Sequence, residues 1–162
     1  MDENEKKRMY RMLSAQLSAL LDDCPWPLTA MANMSSLIFH GLPDLNWAGF
    51  YLFHRDMLIL GPFQGKVACT QIAMGKGVCG TAAQTGTVQL VRDVHQFPGH
   101  IACDSASNAE VVIPLFHHGT LCGVLDLDSP VLSRFDEEDV HGLESLCQLL
   151  MARLDWTGGL LP

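Results

Sequence analysis

Apolar positions recur first every three to four residues and later every two, and the change of period divides the chain. From about Glu5 to Leu21, Met9, Met12, Leu13, Leu17, Leu20 and Leu21 fall at helical spacing. Pro25 and Pro27 interrupt this run, since proline suits a helix start and not its interior. Leu28 to Phe39 predicts a second helix with Met31, Met34, Leu37 and Ile38 on one side, ended by Gly41 and Pro43. The period then shortens. Trp47 to Phe53 and Met57 to Phe63 predict strands joined at His54-Arg55-Asp56, and Lys66 to Ile72 predicts a third. Gly75-Lys76-Gly77 leads into a short helix, Val78 to Thr85, closed by Gly86, before a fourth strand at Thr87 to Val91. Glu110 to Phe116 and Leu121 to Leu127 predict a hairpin turning at His117-His118-Gly119. Phe135 to Leu154 predicts a final amphipathic helix with Ser133 as its candidate N-cap. No repeat or linker divides the pattern, which predicts one α/β domain over residues 1–162. Its N-terminal helices would span about 5–40, the sheet and a long loop about 46–128, and the last helix about 135–154.

Composition narrows the partners. With 162 residues, 48% of them hydrophobic and 17% charged, the chain can bury a full core. A net charge of −8 with no basic stripe argues against nucleic acid and against anionic membrane surfaces. No apolar run follows the cluster Lys6-Lys7-Arg8, so the expected location is the cytoplasm, where thiols stay reduced. The six cysteines, Cys24, Cys69, Cys79, Cys103, Cys122 and Cys147, then read as buried hydrophobes, metal ligands or redox groups.

Three of them have settings that favour chemistry. Cys69 falls in a predicted strand. Cys79 opens the short helix, where free N–H groups would favour a thiolate. Cys103 lies in the irregular stretch Arg92 to Asn108, three residues after His100. A nearby imidazolium can lower a thiol's pKa, although a single such cysteine is more often a small hydrophobe. Carboxylates supply a second set. Asp126 and Asp128 share a strand face with Cys122 and Val124, and two like charges there call for a positive partner such as a ligand ammonium. The plainer alternative is an exposed strand end. Glu110 opens an apolar strand, where burial would keep it protonated; the alternative is a solvated terminus. Trp47 reads as a pocket wall or as core. His95, His100 and Cys103 form only a loose metal-ligand cluster without CxxC spacing.

These residues sit in blocks that resemble the free methionine-(R)-sulfoxide reductases. The blocks are Asn46-Trp47-Ala48-Gly49-Phe50-Tyr51-Leu52, Leu60-Gly61-Pro62-Phe63-Gln64-Gly65-Lys66 and Gly77-Val78-Cys79-Gly80-Thr81-Ala82. Asp93-Val94-His95, Gly99-His100-Ile101-Ala102-Cys103-Asp104, Ser107-Asn108, Glu110 and Gly123-Val124-Leu125-Asp126-Leu127-Asp128-Ser129 continue the likeness. The resemblance implies a GAF fold of the α+β kind: a central, mainly antiparallel sheet of about six strands, flanked by N- and C-terminal helices. It implies Cys103 as the cysteine that attacks the sulfoxide, Cys69 as its principal disulfide partner and Cys79 as a third thiol in exchange. It implies Glu110, Asp126 and Asp128 as substrate-binding and acid groups, Trp47 as the pocket tryptophan, and a homodimer. Arg92 and Ala109 depart from the pattern of some relatives without removing a required group.

The resulting expectation is an antioxidant repair enzyme that needs no metal or organic cofactor and is recycled by a thioredoxin-like reductant. Its class rival is a GAF sensor that binds a small ligand without converting it. A thiol sensor of oxidants would share the cysteines but have no use for the carboxylates.

Overall fold

The computed structural model describes residues 1–101 and 104–158, so Cys103 lies outside the described residues. Helix α1 (Glu3–Leu21) starts in a capping box in which Asp2 accepts from the Glu5 N–H and Glu5 answers from its side chain. Pro27 opens α2 (Pro27–Gly41), where its missing N–H costs nothing. Six strands follow: β1 (Trp47–His54), β2 (Met57–Gly65), β3 (Gln71–Ala73), β4 (Gln89–Val91), β5 (Ala109–His117) and β6 (Thr120–Ser129). Helix α3 (Gly77–Thr85) lies between β3 and β4, and α4 (Glu137–Arg153) follows β6. The sheet is antiparallel throughout, in the order β3-β2-β1-β6-β5-β4.

Alternation along the central strands sorts side chains to two faces. Ala48, Phe50, Val111, Ile113, Leu125 and Leu127 join the main core with α1, α2 and α4. Trp47, Tyr51, Val112 and Val124 face the other way and pack with Val78, Cys79, Ala82 and Ala83 of α3. The terminal helices thus cover one face, and the short helix covers part of the other.

Three expectations change. Residues 66–70 are not strand, so Cys69 stands in irregular chain ahead of a three-residue β3. The β5–β6 ladder shifts register between Leu115 and Phe116. Alternation breaks there, and Cys122 packs on the helix side, away from Val124. Ser133 has a left-handed backbone (φ 55°) and does not cap α4; Asp136 does, accepting from the N–H groups of Glu138 and Asp139.

Candidate active site

Strand register builds the site. Across β1, β6 and β5, Trp47 pairs with Asp128 and Asp128 with Glu110, while Gly49 pairs with Asp126 and Asp126 with Val112. All these side chains share the face that α3 covers, so three carboxyls from two strands meet beside one tryptophan. They line a single cleft with Tyr51, Cys79 and His100. Gly80 lets α3 approach, because a Cβ there would meet the Ala73 carbonyl oxygen at 2.5 Å. Cys79 is thereby pressed against the carboxyls, its Sγ 4.0 Å from Glu110 Oε1.

Glu110 and Asp126 are 6% and 5% exposed. Burial pushes the Glu110 carboxyl well above the ordinary carboxylate range, and the Asp128 charge adds to the rise. Asp126 is raised by burial and then by the charge of Glu110, so the two neighbouring carboxyls oppose each other's ionisation. Asp128 is raised by burial and by Asp126. Among the described residues, no lysine or arginine ion-pairs with these three groups. The nearest basic group is His100, whose Nε2 is 3.6 Å from Glu110 Oε2 and whose own pKa burial lowers. A buried acidic cluster of this kind is relieved by a cation carried in by a ligand.

Cys79 reverses its sequence reading. Its place in the first turn of α3 favours a thiolate, but burial and the charges of Asp126 and Glu110 push the thiol well up. Cys69 is half-buried against the core on the α3 side and is disulfide-bonded, whereas Cys24, Cys79, Cys122 and Cys147 are free. The imidazolium expected to activate Cys103 is also disfavoured, since His100 is driven towards neutrality. His95 does not join it: it is exposed and pairs with Asp93 at 2.9 Å.

Trp47 is both wall and core, 3% exposed and stacked on Phe63 with centroids 5.2 Å apart. Its Nε1 donates to the Lys66 carbonyl at 3.1 Å. Tyr51 was not singled out from the sequence. It lies four residues after Trp47 on the same strand face, which was the available signal, and its hydroxyl donates to the Cys69 carbonyl at 2.9 Å. Asn46 holds the far side of the cleft, donating to Asp104 Oδ2 at 3.1 Å and Ser107 Oγ at 3.0 Å.

The model of the GAF domain family matches residues 29–155. The chain is 50% identical over 141 residues to the free methionine-R-sulfoxide reductase of Escherichia coli, covering 87% of this chain and 86% of that one. It superposes on fRMsr of Staphylococcus aureus in complex with substrate at a TM-score of 0.86, with 44% identity over 90% of this chain and 95% of that one. Free methionine-R-sulfoxide reductase from Neisseria meningitidis in complex with its substrate gives the same TM-score at 41% identity, covering 89% of this chain and 87% of that one. With a family model matched over residues 29–155 and 50% identity over 87% of its length to a curated relative, this chain belongs to the GAF-domain family of free methionine-R-sulfoxide reductases.

Proposed function

We infer that this chain, acting as a single GAF unit in the cytoplasm, reduces free methionine-(R)-sulfoxide to methionine. The observation that carries the reading is the convergence of Glu110, Asp126 and Asp128 with Trp47 in one cleft where, among the described residues, no lysine or arginine ion-pairs with the three carboxyls. A free amino acid brings an ammonium for Asp126 and Asp128, and its methyl sulfoxide end would lie against Trp47. Among the described residues no helix is long and apolar enough to cross a membrane.

Thiolate attack on a sulfoxide sulfur is slow until the departing oxygen gains a proton, and a buried carboxyl held neutral can give one. Cys103 is the nucleophile in this scheme and Glu110 the acid, kept neutral by its burial. The thiolate, the sulfoxide and one proton yield methionine and a sulfenic acid on Cys103. A second thiol, from Cys69 or Cys79, then condenses with the sulfenic acid to release water and leave a disulfide. A thioredoxin-like dithiol returns the enzyme to its reduced form, and the active protein is a homodimer. The disulfide-bonded state of Cys69 supports its part in this cycle; the depth and raised pKa of Cys79 suit a later partner.

Reduced protein incubated with the free (R) epimer, the (S) epimer and a peptide-bound sulfoxide tests the reading. Methionine is expected from the free (R) epimer alone, with loss of two thiols that Cys103→Ser abolishes. Binding of the sulfoxide without methionine or thiol loss would instead make the chain a ligand-binding GAF module.

A further inference from the structure

One sulfur and two carboxyls converge more closely than binding an ammonium requires. Cys79 Sγ, a Glu110 oxygen and an Asp126 oxygen all lie within 4.8 Å of one another. A second observation is independent of that clustering: Asp126 Oδ1 is fully buried and, among the described residues, has no hydrogen-bond partner. We propose that Cys79, Glu110 and Asp126 form a site for a soft divalent cation of the zinc class that closes the cleft to substrate.

The donor set selects the ion. A thiolate favours zinc or cadmium over magnesium or calcium, which take oxygen alone. A tetrahedral ion with Zn–S about 2.3 Å and Zn–O about 2.0 Å separates sulfur from oxygen by roughly 3.5 Å. The observed 4.0 Å between Cys79 Sγ and Glu110 Oε1 is within a small rotamer adjustment of that figure. On binding, the Cys79 thiol and the carboxyl pair each release a proton to solvent as the metal–sulfur and metal–oxygen bonds form. The ion places positive charge beside acids that, among the described residues, no lysine or arginine ion-pairs, and so inverts the balance that holds the thiol protonated. The site rests on these side chains alone; its inhibitory effect rests on the reductase reading.

Cadmium is the probe, because cadmium–thiolate bonds absorb in the ultraviolet. Titrated into the fully reduced chain, the first equivalent of Cd2+ is expected to give this band. Cys79→Ser should remove it, Cys24→Ser should leave it, and Asp126→Asn should weaken binding on the order of 10- to 100-fold. A band of equal affinity in Cys79→Ser overturns the site, as does no band in the wild type. A crystal grown with Cd2+ gives a measurement free of variants: an anomalous peak between Cys79, Glu110 and Asp126 is expected, and a peak elsewhere or none refutes the proposal. Turnover separates the two readings. Zinc should inhibit competitively with the sulfoxide. Metal-free turnover without a cadmium site refutes the site and keeps the reductase; a cadmium site without turnover does the reverse.

Discussion

Replacing Glu110 by Gln changes one proton and little else, which makes it the sharpest test of the chemistry. Glu110 is 6% exposed, pairs with Asp128 across the β5–β6 ladder and is held towards its neutral form by burial. Gln keeps the bulk and remains neutral, so packing is retained and the repulsion from Asp128 disappears. What it lacks is an acidic proton for the sulfoxide oxygen. General acid catalysis contributes about 10²- to 10⁴-fold, or roughly 3–5 kcal/mol of barrier. Glu110→Gln should therefore lower kcat by that factor while KM changes little, since Asp126 and Asp128 still hold the ammonium. The assay is steady-state methionine formation from the free (R) epimer across neutral and alkaline pH. Wild-type kcat should fall as pH rises through the raised carboxyl pKa, because the acid form is lost, and the variant should lose that limb. A kcat within about twofold of wild type, with the limb intact, would remove Glu110 from the acid role.

The same cluster sets a pH dependence of stability. Glu110, Asp126 and Asp128 are raised in the fold, so the folded state binds more protons than the unfolded one. Their contribution is fully present below the ordinary values of 4.5 and 3.8 and is lost as pH rises through the raised folded values. Urea midpoints should fall along that rise, and Asp126→Asn should flatten the slope. Lys6, buried between α1 and α4, reaches Asp139 at 2.5 Å and Asp136 at 2.8 Å. Lys6→Met leaves Asp139 buried with one partner fewer and should cost about 3–5 kcal/mol in chemical denaturation, while the folded fraction keeps its turnover. At Gly123 a Cβ would collide with the Tyr51 carbonyl oxygen on the neighbouring strand. Gly123→Ala should therefore cost about 1–3 kcal/mol, read as a lower thermal midpoint.

Local pattern was enough to place most of the elements, because a helix buries every third or fourth residue and a strand every second. The spacing of Met31, Met34 and Ile38 put them in the core, and the alternation of Asp126 and Asp128 put both carboxyls on one face. That rule fails where the ladder slips: nothing in the order of residues announces the register shift beside Leu115 that carries Cys122 to the helix side. Residues 66–70 read as the first part of a strand running to Ile72, yet β3 is short and Cys69 sits in irregular chain, held from outside by the Tyr51 hydroxyl. The protonation state of Cys79 shows the limit most clearly. Its sequence neighbours describe a helix start that would stabilise a thiolate, while its spatial neighbours are Glu110 and Asp126, more than thirty residues further along the chain. Secondary structure follows from neighbours in sequence, but a pKa is set by burial and by charges within a few ångströms, and those distances exist only after the sheet has paired and α3 has packed against it.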